Sequence, residues 1–483
     1  MKANPIKSNL IRAFVRGGFL SPVDLLNIMD VSTRFGNSYI HFGSRQDVMF
    51  PANDHTEEEL ESAFAAINIH YELAGDQSIY QNIVSSYVAV NVVETTRWVK
   101  EDTYNVLIDT FEYKPKLKIN IVDPLQSLVP LFTGDLNFIA SKEENYWYLY
   151  IRDPRKGNIL ECWPRLIAGQ DVAKISRELE KLFLEFLPFT VEEMYLMFIN
   201  NFVRINYKAL PEKLKPSNAA FPYYEGLNAM LNNQYWLGLY WRNNRYDIDF
   251  MSAACRLCQE TNISTINIIP WKAFIIKGIK SGDRLRWQKL MGKFGINERH
   301  SSLELNWHLP VIDEEALELK KFLVRELDQH DISTHGLTFT IKTNRDILYF
   351  TTVVIEKNED LFPADHYNIL YAKDFNPTNI LYHTYARGIR REMIPTVLIE
   401  LSKLYFRQLN PEREKSDVSF PRTVSQNQQL QYQCSNCLTI YDPMIGDPKA
   451  GIPPGVPFDK LPDAYACHVC DSNKKEFVPV AGQ

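Results

Sequence analysis

No stretch of this 483-residue sequence holds the roughly 18 uninterrupted apolar residues that a membrane-crossing helix needs. The opening residues, "MKANPIKSNLIRAFVRGGFLSPVDLL", also lack an apolar run of signal-peptide length. A cytoplasmic protein with no membrane partner is therefore expected. An excess of positive charge is missing too. With 53 Lys and Arg against 59 Asp and Glu, the net charge of -6 leaves no footprint for nucleic acid. The chain has no phosphate-binding glycine loop, no dinucleotide fingerprint and no nucleophile elbow. His41, His308 and His335 lie in β-like runs without a nucleophile or a metal-spaced partner, so a core or hydrogen-bonded role is expected of each. Cysteine is scarce, at seven, and in a reducing compartment paired cysteines read as metal ligands before disulfides.

What is present is core material. Apolar residues at 45% and aromatics at 12% predict large packed cores, and the length allows about three domains of ~150 residues each.

Four of the seven cysteines fall in the last tenth of the chain, in "QYQCSNCLTIYDP" and "YACHVCDSNKKEF". Cys434, Cys437, Cys467 and Cys470 form C-x2-C-x29-C-x2-C. Each Cys-x-x-Cys turn sets two sulfurs on one side of a metal, and two such turns complete a tetrahedron of soft thiolates suited to iron or zinc. About fifty residues hardly bury a core unaided, so the metal would also hold this segment folded.

The residues between the pairs resemble rubredoxin. "IYDPMIGDPKAGIPPGVPFDKLPDAYACHVC" follows that family's Tyr-Asp-Pro, Gly-Asp-Pro, Gly-Ile-x-Pro-Gly-x-x-Phe and Leu-Pro-x-x-aromatic elements. The resemblance implies one iron in the four thiolates, single-electron transfer and a redox partner protein. Three features depart from the family. Leu438 and Asp471 stand where glycine usually follows each cysteine pair, Tyr465 replaces a tryptophan, and His468 replaces a proline. The polar residues 408–430, with two prolines and no periodicity, read as a tether between body and tail.

The body repeats itself. Leu20 to Phe50 aligns without a gap on Tyr246 to Ile276. Ser21 and Asp247 are the N-cap candidates, and each is followed by apolar residues at helical spacing, a polar break and a β-rich run. "YWYLYIRDPRKGNIL" from Tyr146 and "YNILYAKDFNPTNIL" from Tyr367 match at nearly the same shift. The expectation is α+β: two pseudo-repeated halves, 1–200 and 201–407, each with helices on a largely antiparallel sheet, then the linker and a small metal-bound domain at 431–483.

"VRGGFLSPVDLLNIMDVSTRFGNSYIHFGSRQDVMFP", "QSIYQNIVSSYVAVNVVETTRW" and "FEYKPKLKINIVD" resemble the ferredoxin-like half-domain of siroheme-dependent nitrite and sulfite reductases. The second half's "INIIPWKAFIIKGI" fits the same pattern. That resemblance implies a cationic pocket for a small anion or for carboxylate-rich siroheme. It puts Arg45 on the first pocket arginine, Lys116 and Lys118 on the Lys-x-Lys pair, and Gln81 where the second arginine belongs. If Lys116 and Lys118 share a strand, alternation points both to one face. In the second half Thr338 and Thr340 take the lysine places. The plainer reading makes the lysines a solvated face and Arg45 a surface ion pair.

The family's four-iron cluster needs Cys-x5-Cys and Cys-x3-Cys, which the body lacks. Its cysteines are Cys162, a core candidate, and Cys255 and Cys258, helix neighbours best read as buried thiols. No four-iron cluster is expected. Three functions follow: an electron carrier serving nitrite or sulfite reduction, a reductase holding siroheme or another tetrapyrrole between its halves, or a zinc-stabilised scaffold.

Overall fold

The repeated segments fold alike. In the computed structural model, helices Pro22–Arg34 and Ile248–Glu260 begin at aligned positions of the two repeats. Their caps correspond: Ser21 Oγ accepts from the Asp24 backbone N–H at 3.0 Å, and Asp247 Oδ1 accepts from that of Phe250 at 2.8 Å. Alanine at Asp247 is expected to cost about 1 kcal/mol in urea unfolding of the full chain, while asparagine, which keeps the acceptor, costs much less. The structure describes residues 10–53, 55–74, 79–153, 156, 159–185, 190–200, 205–214, 221–230, 233–299, 301, 303–332, 334–343, 350–358, 366–409, 432–437, 439–443, 446–447, 450–453, 455–468 and 470–479.

The repeats exchange strands. Strands Tyr39–Phe42, Val48–Pro51, Leu10–Ala13 and Tyr71–Leu73 form a sheet whose far edge is Tyr246–Asp247 from the second repeat. In return Phe19–Leu20 extends the sheet of Ile266–Ile269, Ala273–Lys280, Gln234–Leu239 and Gly226–Ala229. The registers obey one pseudo-symmetry: Tyr246 pairs with Ile40, and Leu20 pairs with Ile266. The two capped helices bury Leu25, Ile28 and Met29 with Met251, Cys255 and Cys258 in one core. Residues 1–406 are thus one compact unit, and residues 407–483 a second.

Each repeat adds another sheet, seven-stranded in the first and five-stranded in the second. In the first, Val84–Ser85, Ile119–Val122 and Leu136–Ala140 run parallel before the antiparallel Tyr146–Arg152. In the second, Trp307–His308, Phe339–Lys342 and Val353–Lys357 run parallel before the antiparallel His366–Ala372. The largely antiparallel sheet expected from sequence is therefore corrected to a mixed one, because parallel neighbours need crossover connections, and the hairpins of a meander cannot supply them. Helices Glu101–Asp109 and Val172–Glu185 cover the first sheet through Tyr104, Leu107, Ile175 and Leu179. Helices Glu314–Gln329 and Ile394–Leu409 cover the second through Leu319, Leu323, Leu398 and Leu401. Another core joins Tyr148, Tyr150 and Phe132 of the first repeat to Trp236, Tyr240 and Trp271 of the second. The fold is α+β.

The C-terminal unit is a three-stranded sheet of Ile440–Tyr441, Tyr432–Cys434 and Phe477–Pro479 around Tyr441, Phe458, Tyr465 and Phe477. The tether read at 408–430 begins inside the helix Ile394–Leu409, and its remainder lies outside the described residues. No described helix is long and apolar enough to cross a membrane.

Candidate functional site

The two cysteine turns are built on one plan. Cys434 N–H donates to Thr439 C=O at 2.9 Å, and Cys467 N–H donates to Ser472 C=O at 2.8 Å. The four Sγ atoms all lie within 4.8 Å of one another, with Cys434 to Cys470 at 3.6 Å and Cys437 to Cys467 at 3.4 Å. A tetrahedron with metal–sulfur bonds of ~2.3 Å has edges of about 3.8 Å. These cysteines are positioned to bind one metal ion. Asp471 has φ 57°, the left-handed conformation expected at that departure from glycine, and Leu438 lies outside the described residues.

Hydroxyls support the sulfurs symmetrically. Thr439 Oγ1 is 3.1 Å from Cys437 Sγ, and Ser472 Oγ is 2.9 Å from Cys470 Sγ. The Thr439 hydroxyl and backbone N–H hold the Cys437 thiol down to about 6, in the thiolate range a metal requires. The backbone N–H of Cys437 likewise lowers Cys434. Both replaced residues take part in a second layer. Tyr465 Oη donates to Asp447 Oδ2 at 2.9 Å, and His468 Nδ1 meets the same oxygen at 2.8 Å. Against the upward push of burial, these bonds keep the Asp447 carboxyl below its usual range.

In the body, Arg45 is tied down rather than exposed. Its guanidinium donates to Asn120 Oδ1 at 2.6 Å, Asn82 C=O at 2.7 Å and Ile119 C=O at 2.9 Å, leaving Nε without a partner among the described residues. Burial lowers its pKa to about 10. Arg45 and Lys118 line one cavity of about 320 Å³, together with Arg12, Lys272 and His308. Lys116 does not join them. It is exposed and lines a separate cavity with Arg177 and Lys181. The strand begins at Ile119, so alternation does not govern the pair. Glu180 draws the preceding loop away by accepting from the N–H groups of Lys116 at 2.6 Å and Leu117 at 3.0 Å. Gln81 lines another cavity of about 670 Å³ beside Arg16. Thr338 and Thr340 are buried in a hydroxyl network with Thr352 and Thr351.

The other singled-out residues are mostly structural. His41 bonds the Asn244 carbonyl at 2.6 Å, and burial lowers its pKa to about 4. His335 stacks on Tyr223 at 4.6 Å. Cys255 and Cys258 are buried, with thiol pKa values pushed up by desolvation, to about 12 for Cys258. Cys162 is half-buried. Among the described residues, the four C-terminal cysteines are the grouping of His, Cys, Asp and Glu able to hold a metal.

Sequence reasoning missed Lys272; His308 is buried, as a core role implies, but beside it. Lys272 is only 6% exposed, and His308 is buried with neither ring nitrogen hydrogen-bonded among the described residues. The gapless alignment held a signal for Lys272, since it falls on Gln46; nothing in the sequence brings His308 beside it.

The family model for rubredoxin matches residues 431–477, and that for the nitrite/sulfite reductase ferredoxin-like half domain matches residues 7–67. High molecular weight rubredoxin of Moorella thermoacetica is 32% identical over 100 residues, covering 21% of this chain and 35% of the relative, so the chain spans about a third of that protein. Rubredoxin-1 of Chlorobaculum tepidum is 44% identical over 55 residues, which are 11% of this chain and 80% of the relative. Among solved structures, the NirA protein of Mycobacterium tuberculosis matches with a TM-score of 0.62 at 14% identity, over 81% of this chain and 79% of its own. That likeness establishes the fold of the body.

Proposed function

The chain belongs to the rubredoxin family through its C-terminal unit, and from that premise we propose an iron-dependent single-electron carrier whose reductase-like body binds a small anion. The arrangement of Cys434, Cys437, Cys467 and Cys470, with Sγ atoms within 4.8 Å of one another, supports this reading most directly. Iron, when bound, stores and releases one electron with little change in its ligands. The chain fixes the four sulfurs, places the Thr439 and Ser472 hydroxyls against two of them, and packs aromatic side chains behind the turns. The donor or acceptor is a redox protein, and reduction of nitrite or sulfite in the cytoplasm is the natural setting for a body of this fold.

The anion site is the cavity lined by Arg45 and Lys118, with Lys116 outside it. Siroheme does not fit there. At about 320 Å³ the cavity is at the small end of ligand pockets, which run from roughly 300 to 1,000 Å³, a size for a small anion rather than a macrocycle. Phe350 of the lining packs on Trp271 at 5.0 Å, and Trp271 on Phe221 at 4.8 Å.

Visible spectroscopy with metal analysis of the full chain tests the proposal. The expected result is one iron per chain, red when oxidised, bleached by dithionite and restored by air. Stoichiometric zinc after expression with added iron, and no visible band, would overturn electron transfer.

A further inference from the structure

The two repeats solve one structural problem differently. In the first, the hairpin residue Gln46 has φ 61°, and Lys272, which the alignment places on it in the second, has φ 59°. Gln46 closes its junction with amide bonds. Its Oε1 accepts from Ser85 N–H at 2.8 Å, while Nε2 donates to the carbonyls of Ser85 at 3.0 Å and Ile268 at 2.8 Å. Gly18 admits that amide, since a Cβ there would stand 2.3 Å from Gln46 Cδ.

The strand matching Val84–Ser85 in the second repeat is Trp307–His308, because each begins the parallel ladder of its sheet. Where glutamine meets serine and seals the first junction, lysine and histidine line the cavity. Lys272 makes no side-chain hydrogen bond or ion pair among the described residues, and there both nitrogens of His308 are unpartnered. Most buried polar groups in native proteins are paired, and two unpaired ones lining a single cavity point to something bound there. Desolvation, aided by Lys272, holds His308 well below its ordinary pKa, so its ring is neutral and offers one donor and one acceptor.

Apolar residues complete the lining, among them Met49, Leu309 and Phe350, and the Phe350 ring packs on that of His308 at 4.8 Å. Cations among apolar residues, with the one lining carboxylate, Asp47, paired to Arg12 at 3.1 Å, suit a carboxylate attached to a short hydrocarbon or aromatic body better than a bare inorganic ion. We infer that this cavity binds a small organic carboxylate, anchored by Lys272 and His308 and packed against the apolar residues of the lining. The inference rests on the anion-binding part of the proposed function and is independent of the C-terminal metal.

Calorimetric titration of the full chain at pH 6.5 with benzoate, butyrate, nitrite and sulfite tests it. One benzoate or butyrate per chain is expected, bound at least tenfold more tightly than either inorganic anion. Lys272→Gln, which installs the residue the first repeat uses at this position, is expected to fold and to weaken benzoate at least tenfold. His308→Phe is expected to weaken it as well, with an unchanged far-ultraviolet dichroism spectrum. Inorganic anions binding as tightly as benzoate, or undiminished affinity in folded Lys272→Gln, would overturn the inference while sparing the anion-binding reading. Absence of binding by all four anions would overturn both.

Discussion

Serine in place of Cys467 is expected to unfold the C-terminal unit of the full chain while leaving residues 1–406 folded. Cys467 is buried in its cysteine turn, and its Sγ stands 3.4 Å from that of Cys437. The apolar support beneath the metal is small, with Tyr441, Phe458, Leu461, Tyr465 and Phe477 as its principal buried side chains. Metal binding to structural thiolate sites of this kind contributes about 10–16 kcal/mol at neutral pH, more than such a core supplies. Removing one ligand therefore removes the dominant stabilising interaction. Limited proteolysis followed by mass spectrometry provides the readout: rapid cuts beyond residue 431 in the variant, slow cuts in the parent, and equal protection of the body in both. A variant as resistant as the parent after complete metal removal would show that the apolar core alone suffices. Chelation of the parent at mildly acidic pH should reproduce the variant's pattern, because protons compete with metal for the four thiolates.

Methionine in place of Lys272 is expected to stabilise the ligand-free body, by on the order of 3 kcal/mol at pH 6. Burial lowers the Lys272 pKa from 10.5 to about 7, with Asp47 and Asp313 pulling it upward and Lys320 pushing it down. The same cavity is lined by His308, which burial keeps neutral, by the cations Arg12, Arg45 and Lys118, and by Asp47. Below pH 7 both folded and unfolded chains carry the ammonium, so the full cost of burying it is present; each tenfold change in proton affinity is worth about 1.4 kcal/mol. Between about pH 7 and 10.5 the unfolded chain binds more protons than the folded one, and stability of the parent rises with pH. The advantage of Lys272→Met should accordingly shrink across that window and vanish above it. Urea titrations of both proteins at several pH values, without added anions, measure this directly. An unchanged difference from pH 6 to pH 10.5 would mean that Lys272 finds a counter-charge in solution. Saturating benzoate should erase much of the difference at pH 6 by supplying one. A lysine retained at this cost in stability is consistent with a binding role.

The metal centre is legible in the sequence because its spacing and its scaffold are local: the Cys-x-x-Cys turn folds on its own hydrogen bonds, and Thr439 and Ser472 lie two residues beyond each pair. The duplication is legible for the same reason, since capping at Ser21 and Asp247 needs only residues three positions away. Lys116 and Lys118 are harder. Their placement depends on Glu180, far downstream, which pulls the loop aside before the strand begins at Ile119. The parallel ladders also escape, since parallel pairing is decided by crossovers rather than by alternation. Lys272 aligns with Gln46 but does not stand out, because its chemistry arises only when the sheet brings His308 to its side.

The exchanged edge strands have a consequence for synthesis. Leu20 leaves the ribosome long before its counterpart Tyr246, and Ile40 gains its partner only when Tyr246 arrives. At about 5–20 residues per second, the nascent first repeat waits on the order of 10–45 seconds with one sheet edge unpaired. An open strand edge is a template for the wrong chain. On a polysome, where several copies at different stages lie close together, the nearest complementary edge can belong to a neighbour. The duplication that builds the shared core thus makes nascent chains of this protein natural substrates for chaperones that shield exposed strands.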